Sequence, residues 1–589
     1  MNNGLTLLLV ASACFLGGYF LYSRFLEKVL GIDPSRKTPA HTRRDGVDYV
    51  PAHPTVLFGH HFAAIAGAGP IVGPVLAAEF GWASVALWII LGCIFIGAAH
   101  DMIALFLSVR HDGESIGTVI GSVLGTPGRI LFLLFSWSAL VLVLAEFTRQ
   151  IAATFVADPA IATASLLFIG EAIVFGFCVY RLHMPVLWAS LIFVPIMFAF
   201  VWVGNAYPFD VCALFGFSKE GAQGVWTIVL LIYCFFASTM PVWLLLQPRD
   251  YLNAYLLYAM MALGVLGVFV AHPTLHIDAF AGFSAVGRSG VSELLFPFLF
   301  VTVACDACSG FHALVASGTS AKQLDNEKSI RPIAYGGMLL EGVLAIIALI
   351  GVAGTYMSQK EYVSAVQTME PVQMFASTIA GFCVMVFEKL GIAPETGKRI
   401  AESFMLLSVS AFLMTSVDAG TRLARFSWQE LVACLPKGEC KMENGKCKMP
   451  SPVGARSPIL HFTFYIFHSL HNMYVGTTIV CALAAALLLG NPKAAKSLWT
   501  IFASANQLLA SRTLLTATLW FVRNKKPCWF TLVPMCFMLS VSSYALISIF
   551  TAAFGAGDWT RLGATGFLLL VAVALVLFTL SKVFGKREQ

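Results

Sequence analysis

Apolar runs follow one another along almost the whole of this chain, each closed off by a short polar stretch. A run of about 20 apolar residues can cross roughly 30 Å of hydrocarbon as an α-helix. The pattern predicts spans at 4–26, 55–79, 83–107, 130–156, 160–180, 185–205, 225–246, 251–271, 292–317, 333–354, 402–420, 461–490, 498–520, 528–550 and 562–582. A β-barrel would instead show short segments of alternating polarity. The expected class is an all-α polytopic membrane protein with about 15 transmembrane helices.

One further apolar stretch, 372–388, decides the topology. As a full span it would place the loop bearing Arg422, Arg425, Lys437, Lys441, Lys446, Lys448 and Arg456 outside. As a re-entrant or interfacial helix it places that loop inside. Arg36, Lys37, Arg43 and Arg44, Lys322, Lys328 and Arg331, and Arg523, Lys525 and Lys526 are then inside as well. Basic loops favour the cytoplasm, so the N-terminus is expected outside and the C-terminus inside.

Two spans carry interruptions. "HHFAAIAGAGPIVGPVLAAEF" (60–80) has Gly67, Gly69 and Pro70 near its middle, and "WTIVLLIYCFFASTMPVWLLLQPRD" (226–250) has Ser238, Thr239 and Pro241. Proline removes a backbone donor and clashes with the preceding turn. In lipid the freed backbone groups must find protein or water, so a broken helix lines a cavity. A half-helix starting at Pro70 would aim its N-terminal dipole at the membrane centre, where it suits an anion. The two breaks fall in spans of opposite direction, five spans apart. The units 55–205 and 225–420 are therefore read as inverted five-helix repeats, the 5+5 core with two broken helices of a LeuT-like secondary transporter. Close packing of glycine-rich helices is the plainer explanation of a single such span. The remaining parts are a peripheral helix and inner loop at 1–54, a basic cysteine-bearing loop at 421–460 and the C-terminal helices at 461–589.

Ionisable residues at bilayer depth are costly and usually face the bundle interior. His60 and His61 lie in the first broken span, and His100 and Asp101 in the span 83–107. "ACDACSGFHALVASGTSAKQ", from Ala304, is the densest cluster, with Asp306, Ser309, His312 and Thr319. These residues are the candidates for proton or ion coupling; a carboxylate with hydroxyls suits sodium as well as a proton. His100 with Asp101 reads either as a proton relay or as a hydrogen-bonded helix end. Gln247, Arg249 and Asp250 read either as an inner gate or as a topology anchor. Glu146 and Arg149 share a helix face and are expected to pair. Glu171, Glu341, Asp418 and Arg512 also lie within or near spans.

Composition adds less. Of 589 residues, 58% are hydrophobic and 12% charged, and the net charge of +6 sits in loops, which gives no ground for nucleic-acid binding. Most of the 14 cysteines lie in apolar spans, where they pack as small hydrophobes. Cys434, Cys440 and Cys447 stand among lysines; a cytoplasmic zinc or redox site there is the less favoured reading, because their spacing is not that of a zinc ribbon. The histidines form no HExxH, so no enzyme is expected and no cofactor.

"DYVPAHPTVLFGHHFAAIAGAGPIVGPVLAAEFGW" (48–82), "GAAHDMIALFLSVRHDGESIG" (97–117), "QPRDYLNAYLLY" (247–258), "SGFHALVASGTSAKQL" (309–324) and "ANQLLA" (505–510) resemble the signatures of the CstA carbon-starvation transporters. The resemblance runs from about residue 28 to 520. It implies a bacterial inner-membrane protein, linked to peptide uptake in carbon starvation and in some members to proton-coupled pyruvate uptake. Asp306 and Cys308 stand where the family pattern has small or apolar residues, and Arg512 where it is alanine-rich. The expectation is import of a small carboxylate-bearing nutrient, pyruvate or a short peptide, with Gly67, Gly69, Pro70, Ser238 and Thr239 binding it and protons (or sodium) as the coupling ion. A membrane nutrient sensor is the rival class; it calls for an output domain, and no stretch of the chain reads as one.

Overall fold

The computed structural model describes residues 2–45, 49–241, 244–288, 290, 292–434, 441–443, 446–448, 472–490 and 498–584. It is almost entirely helical, with two short β-hairpins. Among the described residues, 13 helices are long and apolar enough to cross a membrane, or up to 14 if one bent pair is a single span. In chain order they are α1 (Gly4–Leu30), the bent pair α2 (Pro54–Ile65) and α3 (Gly69–Phe80), α4 (Trp82–Arg110), α5 (Thr126–Ala157), α6 (Pro159–Tyr180), α7 (Val186–Ala206), α8 (Lys219–Thr239) and α9 (Leu246–Ala271). The short helices α10 (Leu295–Thr302), α11 (Ala304–Ala307) and α12 (Gly310–Val315) come next. They are followed by α13 (Glu327–Thr355), α14 (Pro371–Lys389), α15 (Pro394–Cys434), α16 (Met473–Gly490), α18 (Trp529–Ala556) and α19 (Trp559–Lys582); the helix α17 (Leu498–Arg523), between α16 and α18, is not among the 13.

The first expected break is present. α2 ends where Ala66 leaves helical geometry (φ −73°, ψ 63°), and α3 restarts with Pro70 in its first turn, bent by 42° from α2. The Gly67 N–H turns back to the Ile65 carbonyl at 2.7 Å, and Pro70, with no N–H to give, starts the next half-helix rather than continuing the first.

The second break is not where the sequence suggested. Ser238 and Thr239 form the last turn of α8, and Thr239 Oγ1 bonds the Phe235 carbonyl at 2.9 Å. Met240 is extended (φ −72°, ψ 154°), as the residue before a proline prefers, and α9 begins only at Leu246. The stretch is a junction between two helices rather than a kink within one. α15 supplies its closure: Arg422 donates to the Ala237 and Met240 carbonyls at 3.0 and 2.9 Å, and Arg425 to Ser238 O at 2.7 Å. Cations at a helix C-terminus satisfy the last carbonyls and the dipole together.

The interruption that matches the first lies at 303–309. Val303 (φ −97°, ψ 29°) ends α10, and Cys308 (φ −171°, ψ 112°) and Ser309 (φ −110°, ψ 124°) separate the single turn α11 from α12. No proline marks it. The freed backbone is met from α17, where Asn506 Oδ1 accepts the Phe311 N–H at 2.9 Å and Asn506 Nδ2 donates to Ser309 Oγ at 3.0 Å. Asn506 thus caps a half-helix from another element, the service an N-cap side chain normally gives its own helix.

The two broken spans face each other. A methyl group on Gly69 would overlap Cys305 Cβ, and one on Gly73 would stand 2.7 Å from Asp306 Oδ2 and 3.0 Å from the Thr302 carbonyl. Such close approach is what small residues permit in membranes. The two longest helices, α15 (41 residues) and α5 (32 residues), pack along each other beside this pair.

α14 lies against Gly351 and Gly354 of α13 and Gly264 and Gly267 of α9, all in the second halves of those helices. The basic segments gather at the opposite end. Short bridges join Lys37 to Asn326 and Ala52 to Leu324, Arg110 pairs with Glu327 at 2.8 Å, and Lys526 donates to Val29 O at 2.9 Å. Of the expected span 461–490, residues 461–471 lie outside the described residues, as does most of the loop 435–460.

Gly69→Val forces a side chain into Cys305, and overpacking of this kind costs about 1–3 kcal/mol. Its melting temperature in detergent should fall clearly below wild type. Gly170→Ala, with no atom within 4 Å of the added methyl, should not lower it. Equal melting of the wild type and Gly69→Val would contradict the close approach of the broken helices.

Candidate functional site

Gly67 sits in the first break, with Gly69 and Pro70 opening α3, all buried. Around Gly67 and Gly69 stand Phe147, Cys305, Ser309, His312, Ser416 and Phe502, enclosing a space of about 10 Å³. That is about the room one water needs. The candidate anion site at the half-helix is therefore closed in this conformation. Ser238 and Thr239 do not face it. Ser238 Oγ is 3.5 Å from Thr477 Oγ1 on α16, and the Thr239 hydroxyl is spent on its own helix. A hydroxyl and a proline in an apolar run looked like a mid-span break, but here they close a helix end.

Behind the breaks runs a buried chain of ionisable groups from three elements. His100 Nδ1 is 2.7 Å from Asp101 Oδ1, and Asp101 Oδ2 is 2.8 Å from His312 Nδ1. His312 Nε2 stands 3.4 Å from Glu341 Oε2 on α13. All four side chains are at most 1% exposed. With Asp101 ionised, it accepts from both Nδ1 atoms, which fixes each neutral ring with Nε2 as its acceptor. His312 Nε2 then faces Glu341 with one proton to be held between them. The chain can store that proton on either group and hand it along by a small movement. His61 is also fully buried and meets Ser320 Oγ at 2.8 Å.

Asp306 stands apart from this chain. It is fully buried against Gly73 in the facing half-helix, and neither carboxylate oxygen has a hydrogen-bond partner among the described residues. Its own backbone carbonyl accepts from Cys93 Sγ at 2.6 Å. Ser309 is held by Asn506, and Thr319 Oγ1 bonds the Val315 carbonyl at 2.9 Å. These hydroxyls are committed elsewhere and do not surround Asp306.

A far larger cavity, about 560 Å³, lies at the Pro54 end of the first broken span. It is lined by His60, Gln247, Asp250, Thr319, Lys322 and Arg422 with Phe175, Tyr180, Tyr251, Tyr255 and Tyr258. His60 Nδ1 is 3.2 Å from Asp250 Oδ2, and Tyr180 donates to Gln247 Oε1 at 3.0 Å. Arg249 turns the other way. It is fully buried, ion-paired with Asp418 and bonded to the Tyr233 hydroxyl, while neighbouring Asn253 donates to Ala411 O at 3.1 Å. Of the three expected gate residues, two line the cavity and Arg249 clamps α9 to α15.

The opposite end of the same span is shut. Tyr362 donates to the Val75 and Leu76 carbonyls at 2.6 and 2.8 Å, and Gln359 to Glu79 O at 3.0 Å. An ion chain crosses there: Glu146 to Arg149 at 2.9 Å, Arg149 to Glu370 at 3.5 Å and Glu370 to Arg288 at 2.6 Å. The expected Glu146–Arg149 pair is its first link.

Glu341 and Asn506 were given no role from sequence. Glu341 is a single acid in "GGMLLEGVLAII" and shows no partner there; Asn506 is visible only as part of "ANQLLA". Cys305 and Cys308 are buried free thiols, and Asn506 Nδ2 lies 3.2 Å from Cys305 Sγ. Cys440 and the side chain of Cys447 lie outside the described residues, and Cys434 ends α15. No three His, Cys, Asp or Glu side chains among the described residues are placed so that they could hold one metal ion. Arg512 is buried over the Phe135 ring, 3.9 Å from its centroid.

Facing broken helices, a cavity at one end and a buried carboxylate–histidine chain define a multi-span membrane protein with a polar centre. The chain belongs to the carbon starvation protein CstA family, which matches residues 3–390 and 355–545. Peptide transporter CstA of Escherichia coli (strain K12) is 32% identical to it, over 90% of this chain and 79% of that protein. Peptide transporter CstA of Bacillus subtilis (strain 168) is 30% identical, over 92% and 90%. Pyruvate/proton symporter BtsT of Escherichia coli (strain K12) is also 30% identical, over 92% and 81%. Among solved structures, MhsT in complex with L-phenylalanine is 13% identical at a TM-score of 0.46, over 90% of this chain and 99% of that one. At that distance the likeness carries no argument.

Removing one partner of a buried ion pair strands the other charge and costs about 3–5 kcal/mol. Arg249→Met should therefore melt well below wild type. Adding Asp418→Leu should recover most of the loss. If Arg249→Met melts with the wild type, the clamp between α9 and α15 is wrongly described.

Proposed function

We propose that the protein is a secondary active transporter that imports a small carboxylate-bearing nutrient, a short peptide or pyruvate, by proton-coupled alternating access. The observation that carries this is the pair of facing breaks, at 66–68 and 303–309, with Asp306 and the His100–Asp101–His312–Glu341 chain beside them. Discontinuous helices of this kind hold substrate and coupling ion in inverted-repeat transporters. The names of the relatives, peptide transporter and pyruvate/proton symporter, support the substrate class.

In this reading the second inverted repeat opens at α10, not at residue 225. The protein sits in a bacterial inner membrane with the basic end in the cytoplasm, the N-terminus periplasmic and the C-terminus cytoplasmic. α14, which packs against glycines in the second halves of α9 and α13, is then a re-entrant or interfacial helix. The conformation described is inward-facing: the 560 Å³ cavity is at the basic end and the ion chain seals the other. Asp306 carries the proton, and the histidine–carboxylate chain supplies and removes it. A proton suits this centre better than sodium, because a bare cation needs several oxygens around it and Asp306 has none of the nearby hydroxyls. Induction by carbon starvation belongs to the proposal on the strength of the family name alone.

Labelled pyruvate, dipeptide and tripeptide should each be offered to proteoliposomes under an inward proton gradient, with and without sodium. At least one should accumulate, insensitive to sodium and abolished by a protonophore. Asp306→Asn should remove accumulation while leaving downhill exchange. Accumulation that requires sodium, or that survives Asp306→Asn at the wild-type level, would contradict proton coupling at this carboxylate.

A further inference from the structure

The large cavity is not evenly polar. One side is the Asp250–His60 pair, in which Asp250 is 3% exposed and its Oδ1 has no hydrogen-bond partner among the described residues. The ring of His60 occupies only the other oxygen, Oδ2, at 3.2 Å. On a different element stands Lys322, half-buried, with its ammonium over the Tyr49 and Phe426 rings at 5.5 and 5.9 Å. Lys322 has no carboxylate partner within ion-pair distance among the described residues. The wall of the same cavity also carries tyrosines, including Tyr255 and Tyr258.

Among the described residues, Lys322 lacks a carboxylate, and Asp250 keeps one oxygen without a donor. A buried carboxylate oxygen with no donor is costly unless something supplies one, and a lysine held by ring faces alone has its three donors to offer. A solute with an ammonium at one end and a carboxylate at the other would satisfy both. The cavity's 560 Å³ falls in the range of roughly 300–1,000 Å³ that encloses ligands much larger than a three-carbon acid. The tyrosine wall offers ring faces and hydroxyls to a variable middle portion without reading its sequence, and ring faces also attract an ammonium.

We infer that Asp250, oriented by His60, is the subsite for the free α-ammonium of a zwitterionic peptide, and that Lys322 receives its terminal carboxylate. The inference rests on the transporter reading above and deepens it, from a carboxylate-bearing nutrient to one read at both ends. Pyruvate, which has no ammonium, fills only the Lys322 side. His60 is a positioning residue: it holds Asp250 Oδ2 at 3.2 Å, and Oδ1 is the oxygen left without a donor.

The test compares dialanine with N-acetyl-dialanine and dialanine amide on the full-length protein, both as uptake into proteoliposomes under a proton gradient and as equilibrium binding in detergent. Losing a hydrogen bond to a charged group is worth about tenfold or more in affinity. Wild type should bind N-acetyl-dialanine and dialanine amide at least about tenfold more weakly than dialanine. Asp250→Asn should erase the penalty for N-acetylation by weakening dialanine, with the amide penalty kept; Lys322→Gln should do the reverse. Because the blocked ligands need no mutation, a variant that fails to fold leaves the wild-type comparison intact. Equal affinity of wild type for free and N-acetylated ligand would overturn the inference, as would an Asp250→Asn variant that still discriminates between them. If wild type binds dialanine and rejects the blocked forms but accumulates nothing, the subsite stands and the transporter reading falls.

Discussion

Lipid supplies no hydrogen bonds, and this constraint shapes the centre of the protein. A helix that stops in the membrane must find partners for the groups it frees, and two helices stop here. The solution is mutual and local. Each break presses against the other through Gly69 and Gly73, and a third helix lends Asn506 to cap the restart at Gly310. A side chain larger than hydrogen at Gly310 would meet the Asn506 carbonyl at 2.5 Å, so the cap depends on that glycine as well. With the backbone satisfied from within, the breaks leave room for a buried carboxylate, Asp306, that would otherwise have no place in the interior.

Charge follows the same rule at a larger scale. The groups that are paired are structural: Arg249 with Asp418 joins α9 to α15, and the chain from Glu146 to Arg288 joins α5 to the segment before α14 and to the hairpin near 288. Beside the breaks and the cavity, Asp306, Glu341, Asp250 and His60 each keep an oxygen or nitrogen without a hydrogen-bond partner among the described residues, as Glu171 and Arg512 do elsewhere. Desolvated polar atoms without partners cost stability, and ionisable groups kept at membrane depth beside broken helices are candidates for function. The cavity at one end and the seal at the other are the geometry expected of a protein that exposes its centre to one side at a time.

Much of this was legible in the sequence, for reasons that differ by residue. Apolar runs gave most of the helices, because hydrocarbon thickness sets their length. Gly67, Gly69 and Pro70 gave the first break, because proline's missing N–H is a covalent fact. The second break could not be read the same way. It has no proline, and it is held by Asn506, about 200 positions further on in the chain. The Ser238–Pro241 stretch carried the same letters as a break, but the arginines of α15 that make it a helix end are equally remote in sequence. His312 and Asp101 were both suspected, yet their contact across two helices and its extension to Glu341 are tertiary facts. Side-chain direction was also hidden: Arg249 and Asp250 are neighbours in the chain, yet one pairs with Asp418 and the other lines the cavity.

The account's central claim is that solute and proton move together through the centre formed by the two breaks. The most direct measurement is proton movement driven by solute alone. Proteoliposomes held with no pH gradient and no membrane potential, given an inward gradient of unlabelled dialanine or pyruvate, should acidify inside. The same vesicles made with Asp306→Asn should not. Solute entry with no change of internal pH in the wild type would contradict the account.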